Sequence, residues 1–197
     1  MSTILARNLD AQHGRCLTVR HDDTSRSRPH VTADILAGVA LLGATITTGL
    51  TAGVFALYAH TIMPGLKTVD DRTFVVAFQA VDRAIINPWF MLGAFFGSLV
   101  LTGAAVLTNL GRPGAPWIAA ALVLTLADVV ITVAVHVPLN NAIKAAGVPE
   151  RSQDLALVRR RFHEARWATW NRVRAAAATA AFVALAWSLI LHGQALA

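Results

Sequence analysis

Cysteine and charged residues are scarce in this chain. Cys16 is the only cysteine among 197 residues, which excludes an internal disulfide and any zinc or iron–sulfur site held by several cysteines. Charged residues make up 14% of the chain and hydrophobic residues 55%, whereas soluble domains carry about 25% charged residues. Glycine-rich nucleotide fingerprints, P-loops and nucleophile elbows are missing as well. The excess of apolar surface is therefore expected to face lipid.

Four apolar runs are each long enough to cross a bilayer as a helix, which takes about 20 residues. They cover approximately residues 35–63, 88–107, 116–137 and 174–191. Helices are favoured because a backbone in lipid must satisfy its own hydrogen bonds. The sequence therefore predicts an all-α fold, a multi-pass four-helix bundle in the plasma membrane. Residues 1–32 are predicted to form a polar, disordered tail, and residues 33–197 the transmembrane domain.

Two long connections, residues 64–87 and 138–172, lie on the same side of the predicted bundle, which we call the long-loop side. Apolar residues recur in both at spacings of three and four, which predicts an interfacial helix in each. This side carries eleven of the 17 Lys and Arg residues, so the positive-inside rule predicts that it faces the cytoplasm. Although the net charge is +6, basic residues beside apolar runs fit anionic lipid headgroups better than nucleic acid.

Polar residues at the long-loop ends of all four runs predict a functional site there. Consecutive spans run antiparallel, so these ends meet at one mouth of the bundle. The polar group comprises His60, Asn87, His136, Asn140, Asn171 and Arg174. Four aromatic residues lie near the same end of the predicted bundle, namely Phe55, Trp89, Trp167 and Trp170.

Most of these residues also have a structural interpretation. Asn87 before Pro88 is typical of a helix N-cap followed by proline, and the tryptophans are typical of an interface belt. Asp128 lies near the middle of the third run, where an ionised carboxylate costs at least about 2.5–3.5 kcal/mol. We expect Asp128 to face the bundle interior, either protonated or paired.

Several short segments follow one another in the order and spacing of a known family. They are Gly53-Val54-Phe55, Met63-Pro64-Gly65-Leu66, Ile86-Asn87-Pro88, Val137-Pro138-Leu139-Asn140 and Trp170-Asn171-Arg172-Val173-Arg174. With them the chain resembles the anthrone oxygenase-like family of small four-helix membrane proteins, over approximately residues 36–191. The resemblance implies an oxygenase, since characterised members convert an anthrone to an anthraquinone with O₂ in polyketide pathways. The family positions that match here are Asn87, Asn140, Asn171 and Arg174.

The chemistry that the resemblance implies is compatible with these residues. A base removes a proton from the methylene group of the anthrone, and the electron-rich anion reduces O₂ without a protein cofactor. His136 or His60 is expected to be the base, and Arg174, Asn171 and Asn140 are expected to hold the oxyanion. Asn87 and the four aromatic residues are expected to bind a small, flat, apolar aromatic substrate.

Two other functions stay open at this point. His60 and His136 at similar depth are candidate ligands for haem or a metal ion in a cofactor-dependent membrane oxidoreductase. The other alternative is a non-enzymatic small transporter or accessory subunit, with Asp128 in a polar pathway.

Overall fold

A computed structural model describes residues 23–147 and 154–196 of the protein, with side chains from residue 31 onward. Regular secondary structure in these ranges is entirely helical, which confirms the all-α prediction. The α-helices are α1 Asp23–Leu57, α2 Met63–Lys67, α3 Asp71–Ile85, α4 Phe96–Thr108, α5 Ala115–Ile131, α6 Val137–Lys144, α7 Leu155–Phe162 and α8 Glu164–Leu196. The tail predicted for residues 1–32 lies largely outside the described residues and stays a prediction.

Four stretches of this helical chain are long and apolar enough to cross a membrane. Spans 1 to 4 are Val31–Lys67, Trp89–Thr108, Ala115–Lys144 and Leu155–Leu196. The protein is therefore a membrane protein with four helical spans, as predicted. Spans 1, 2 and 3 each contain a π-helical turn, and these turns are π1 Tyr58–Ile62, π2 Trp89–Phe95 and π3 Thr132–His136.

The helix predicted in the first connection is α3, and its N-terminus is fixed by a side-chain cap. The carboxylate of Asp70 accepts hydrogen bonds from the backbone N–H groups of Arg72 at 3.0 Å and Thr73 at 3.1 Å. The Thr73 hydroxyl donates a third bond to Asp70, and these bonds hold the pKa of the Asp70 carboxyl below its usual value. The apolar face of α3 is buried at Phe74 and Phe78, so α3 packs against the bundle as an amphipathic helix.

The helix predicted in the second long connection, between spans 3 and 4, is α7. It ends at Phe162 and is followed by His163, whose φ of 52° is left-handed, and α8 begins at Glu164. The fourth transmembrane helix therefore starts well before the predicted start at residue 174. The reason is that hydropathy detects only the apolar part of the helix, whereas arginines such as Arg166 and Arg172 are good helix formers that continue it.

Arg159 ties the two long connections together. Its guanidinium donates to the backbone carbonyl of Val69 at 2.9 Å and lies 3.2 Å from a carboxylate oxygen of Asp71, both in the first connection. It also pairs with Glu164 at 2.9 Å and stacks 4.3 Å from the ring centroid of Phe74. These contacts hold α3 against α7 at the long-loop side.

Buried side chains form different clusters at the two ends of the bundle. The aromatic cluster, at the long-loop side, comprises Tyr58, Met63, Phe74, Val75, Phe78, Val135, Leu139, Ile143, Phe162 and Trp167. The small-residue cluster, at the other end, comprises Leu41, Ala44, Ala105, Ile118, Ala121, Ala181, Ala184 and Leu185. Phe55, Phe90 and Phe95 belong to a third cluster between them.

Candidate functional site

A cavity of about 230 Å³ opens between the spans on the long-loop side. Its volume is below the roughly 300–1,000 Å³ that is usual for ligand pockets, so it suits a compact ligand. The apolar lining is Val54, Phe55, Tyr58, Phe78, Ile85, Ile86, Phe90, Met91, Phe95, Val137 and Trp167. The polar lining is Asp82, Thr132, His136, Asn140, Asn141, Lys144 and Arg174. At the predicted mouth of the bundle the structure therefore has a cavity lined by six aromatic rings, five other apolar residues and seven polar residues.

All three π turns contribute residues to this lining. Tyr58 comes from π1, Phe90 and Phe95 come from π2, and Thr132 and His136 come from π3. Single π turns inside α-helices are rare and occur frequently at functional sites. Their coincidence with the cavity therefore makes this end of the bundle the candidate functional end.

Two prolines explain why π turns form in spans 1 and 3. Pro64 and Pro138 have no N–H to bond the carbonyl four residues earlier, and their rings clash with it. Those carbonyls belong to His60 and Ala134, which are the central residues of π1 and π3. The proline positions in the sequence were thus a readable signal for these turns.

Arg174 is the buried cation of the site. Its side chain donates to the Thr132 hydroxyl at 2.8 Å and to the side-chain oxygen of Asn171 at 2.8 Å. The guanidinium lies 4.0 Å from the ring centroid of Phe55, a distance typical of a cation–π contact. Arg174 is only 6% exposed, and its Nε has no hydrogen-bond partner among the described residues. One charged N–H of a cavity-lining residue is therefore left without a protein partner within the described part of the chain.

Asn171 holds Arg174 rather than lining the cavity. It is fully buried, and its amide nitrogen donates to the backbone carbonyl of Phe55 at 3.0 Å. Since the same side chain accepts from Arg174, Asn171 links the guanidinium to the backbone of span 1.

His136 is 2% exposed and lines the cavity with an imidazole that has almost no polar contacts. Its Nε2 has no hydrogen-bond partner among the described residues, and its Nδ1 lies 3.5 Å from the carbonyl oxygen of Ile131. The latter distance is too long for a normal hydrogen bond. The ring packs edge-on against Trp167, with ring centroids 4.9 Å apart. Packing therefore orients His136, and its Nε2 is left buried without a partner among these residues.

Asn140, Asp82 and Trp167 form a hydrogen-bonded chain along one wall. The indole N–H of Trp167 donates to Asn140 Oδ1 at 2.8 Å, and Asn140 Nδ2 donates to Asp82 Oδ1 at 2.7 Å. Lys144 Nζ lies 3.2 Å from Asp82 Oδ2. Asp82 is 5% exposed and Lys144 34%, so the chain runs from the buried wall towards the surface.

Five of the predicted site residues line the cavity and one supports it. The lining residues are Phe55, His136, Asn140, Trp167 and Arg174, and the supporting residue is Asn171. They come from spans 1, 3 and 4, whereas the residues that were predicted from span 2, Asn87 and Trp89, do not line the cavity.

The other predicted site residues lie elsewhere. His60 is exposed and its Nδ1 contacts the Thr61 hydroxyl at 2.6 Å. Asn87 caps the start of span 2 by accepting from the N–H of Phe90 at 3.0 Å, which is the structural role considered for it. Trp89 and Trp170 are exposed and do not line the cavity.

The positions of His60, His136 and Asp128 bear on the two alternative functions, a haem- or metal-dependent oxidoreductase and a non-enzymatic transporter or accessory subunit. The structure does not bring His60 and His136 together, and in residues 23–147 and 154–196 no group of three or more His, Cys, Asp or Glu side chains is placed to hold a metal ion. Asp128 is buried in span 3, as expected, but does not line the cavity. Its Oδ1 has no hydrogen-bond partner within those ranges.

Sequence reasoning missed several lining residues, above all Tyr58, Asp82 and Lys144. A signal existed for Asp82, which follows Phe78 by four positions and therefore shares its buried helix face. A carboxylate on the apolar face of an amphipathic helix is unusual, because buried charges need partners. Lys144 supplies that partner.

A comparison with protein families agrees with the geometry. The family model for anthrone oxygenases matches residues 86–184. The chain belongs to the anthrone oxygenase family. No curated protein and no solved structure matches it. The matched region includes His136, Asn140, Trp167 and Arg174, so the polar wall of the cavity lies within the part of the chain that defines the family; Phe55 and Asp82 precede it.

Membership of this family indicates an oxygenase-type function. The arrangement of the site suits that chemistry, because the cavity is lined by several aromatic rings together with His136 and Arg174, each of which has a buried nitrogen without a partner among the described residues.

Proposed function

We propose that the protein is a membrane-bound oxygenase that oxidises an anthrone-type substrate to the quinone with O₂, as part of polyketide metabolism at the plasma membrane. One observation carries the proposal. His136 and Arg174 both line the same cavity, and each has one buried nitrogen, Nε2 and Nε respectively, without a partner among the described residues. A base and a cation close to one aromatic ligand are what this oxidation requires.

The first step is removal of a proton from the methylene carbon of the substrate. His136 Nε2 accepts this proton, and the electron pair of the C–H bond moves into the ring system, so that the ketone oxygen becomes an aryloxide. Arg174 stabilises the negative charge on that oxygen. Phe55 and Trp167 hold the planar anion and keep water away from it.

The second step transfers an electron from the anion to O₂, and the two resulting radicals combine at the former methylene carbon. The imidazolium of His136 protonates the distal oxygen, which gives a hydroperoxide. Loss of the remaining C–H proton to His136 then expels hydroxide as the O–O bond breaks and a C=O bond forms. The proton returns to the hydroxide, so one anthrone and one O₂ give one anthraquinone and one water.

Turnover by the purified protein tests the proposal. The full chain in lipid nanodiscs is supplied with anthrone under air, and both O₂ consumption and quinone absorbance are recorded. We expect one quinone for each O₂ consumed. Arg174→Ala and His136→Ala are expected to lower turnover by about 10²-fold or more, in line with the loss of an oxyanion donor or a general base.

Matched controls separate chemistry from folding. Arg172→Ala and His163→Asn change an exposed residue of the same type outside the cavity, and are expected to keep near-normal turnover. If Arg174→Ala and His136→Ala remain well folded and fully active, the proposed site is wrong.

A further inference from the structure

The hydrogen-bonded chain on the cavity wall has only one possible direction. An indole N–H can donate but not accept, so Asn140 must present its carbonyl oxygen to Trp167. The amide NH₂ of Asn140 therefore faces Asp82, whose Oδ1 accepts at 2.7 Å. The opposite face of the carboxylate is occupied by Lys144, 3.2 Å from Oδ2. Asp82 is thus held from two sides and fixes the orientation of the Asn140 side chain.

Trp167 is the next member of the chain and the principal neighbour of the His136 ring. Its ring lies 4.9 Å from that of His136, at an interplanar angle of 79°. Tyr58 and Phe78 pack against other parts of the same indole, each with ring centroids 5.6 Å away. The carbonyl of Ile131 is 3.5 Å from His136 Nδ1, and the other backbone group beside the imidazole belongs to Trp167 itself, so residue 167 borders the His136 ring with both its indole and its backbone.

The hydrogen-bonded chain begins outside the spans, in the loop region between spans 1 and 2. Asp82 belongs to α3 in the first connection, whereas Asn140 belongs to span 3 and Trp167 to span 4. α3 is itself fixed by Gln79, whose amide nitrogen donates to the carbonyls of Ile143 at 2.9 Å and Gly147 at 3.2 Å. The carboxylate therefore joins three separate parts of the chain next to His136.

We propose that Asp82 is a positioning residue for His136, acting through Asn140 and Trp167. This inference rests on the proposed function of His136 as the base. Asp82 orients Asn140, Asn140 orients the indole, and the indole sets the plane of the imidazole. Lys144 neutralises the charge of Asp82. Because its side chain is partly exposed, Lys144 does not have to be buried in the apolar interior to do so.

Two variants break the chain at different points without emptying the cavity wall. Asp82→Asn removes the charge that Asn140 and Lys144 contact, and Trp167→Phe keeps an aromatic ring but removes the indole N–H. Each is expected to lower kcat about 10- to 100-fold, as loss of an outer hydrogen-bond partner does at metal sites, with KM changed less than threefold. The kcat of the double variant is expected to be no lower than that of the less active single variant, because both changes interrupt the same hydrogen-bonded chain.

The controls are chosen to match in residue type. Asp154→Asn changes an exposed helix cap that asparagine also fills, and Trp187→Phe changes an exposed tryptophan of span 4. Both are expected to leave kcat and KM unchanged. If the losses of Asp82→Asn and Trp167→Phe multiply, the two residues act independently and the inference is wrong. If Asp82→Asn alone is as inactive as His136→Ala while Trp167→Phe is normal, Asp82 is the base itself, which also overturns it.

A second readout does not depend on turnover. The imidazole ring signals of His136 are identified in NMR spectra of the nanodisc sample by their absence from His136→Ala. We expect Asp82→Asn and Trp167→Phe to shift these signals, and the two controls to leave them in place. Unchanged His136 signals in both variants would overturn the inference even if the wild type oxidises anthrone. If the two variants shift the His136 signals but the wild type has no oxygenase activity, the inference stands and the proposed function is overturned instead.

Discussion

The two ends of the bundle interior are filled in different ways. At the long-loop end, large rings pack at varied interplanar angles, from 11° between Phe74 and Phe78 to 90° between Phe78 and Trp167, and the helices carry π turns. At the other end, small residues such as Ala44, Ala121 and Ala181 are completely buried and allow helix backbones to approach closely. Large rings keep the helices apart and leave space between them, whereas alanines close it. The cavity is therefore a consequence of which residue sizes face each other.

Polar side chains differ in the same way between the two ends. Towards the small-residue cluster, Thr45 and Thr125 bond to carbonyls of their own helices, and Ser188 bonds to the carbonyl of Gly114. At the cavity, Arg174 and His136 keep nitrogen atoms without partners among the described residues. Buried polar atoms without partners among these residues also occur towards the other end, at Thr102 and His192, so what distinguishes the long-loop end is that such atoms belong to residues that line the cavity.

The largest effect is expected from Arg174→Lys, which keeps the positive charge at the cavity. A lysine ammonium cannot bridge Thr132 and Asn171 as the planar guanidinium does. We expect kcat/KM for anthrone to fall about 10²–10³-fold, comparable to the loss of an oxyanion donor. Arg172→Lys on the exposed side of the same helix is the control. Similar activity of both variants would mean that charge alone matters at position 174.

A smaller effect is expected from Pro138→Ala, which tests the π turn at the cavity. Alanine restores an N–H for the carbonyl of Ala134, so span 3 can become a regular α-helix. The Thr132 and His136 side chains then rotate relative to the cavity, and we expect kcat to fall about 10-fold while thermal stability is unchanged or higher.

The control for this change is Pro116→Ala. Pro116 occupies the first turn of α5, where proline removes no helix hydrogen bond, so kcat is expected to stay normal. If Pro138→Ala is equally active and its π turn persists in an experimental structure, proline is not the cause of the turn.

The small-residue packing is tested by Gly49→Val, which is expected to affect stability but not chemistry. A Cβ at Gly49 would lie 2.9 Å from the ring of Phe182, whereas a Cβ at Gly53 would meet nothing within 4 Å. Gly53→Val is therefore a matched control for helix propensity. We expect Gly49→Val to be less stable than Gly53→Val by about 1–3 kcal/mol, the usual cost of overpacking, in thermal unfolding experiments. Equal stability of the two would show that Phe182 moves aside freely.

The four spans were predictable from sequence because lipid imposes one strong requirement on composition. A run of about twenty consecutive apolar residues is typical of a membrane-spanning helix and of few other structures. Helix ends were less predictable: α8 begins at Glu164, where arginines obscure the helix from a hydropathy pattern. The helices of the two connections were readable from their spacing alone.

About half of the candidate site was predictable, and the rest depended on which helix face turns inward. Antiparallel threading gives the depth of a residue but not its direction. Trp167, Asn171 and Arg174 are spaced by four and three and share a face, whereas Trp170 lies off that face and is exposed. Asp82 could not be placed by threading, since α3 is outside the spans and its docking depends on tertiary contacts.

The smallest effect is expected from His60→Ala, which separates the cavity from its surroundings. His60 has the depth predicted for a site residue, but Tyr58 lines the cavity, and a residue two positions later on a helix points to nearly the opposite side. His60 is accordingly exposed and contacts Thr61. We expect kcat and KM for anthrone to change less than twofold, and the absorption spectrum of the purified protein to stay the same. A large loss of turnover, or a change in a cofactor absorption band, would mean that His60 acts with His136 after all, and would restore the haem or metal hypothesis at the expense of the cavity described above.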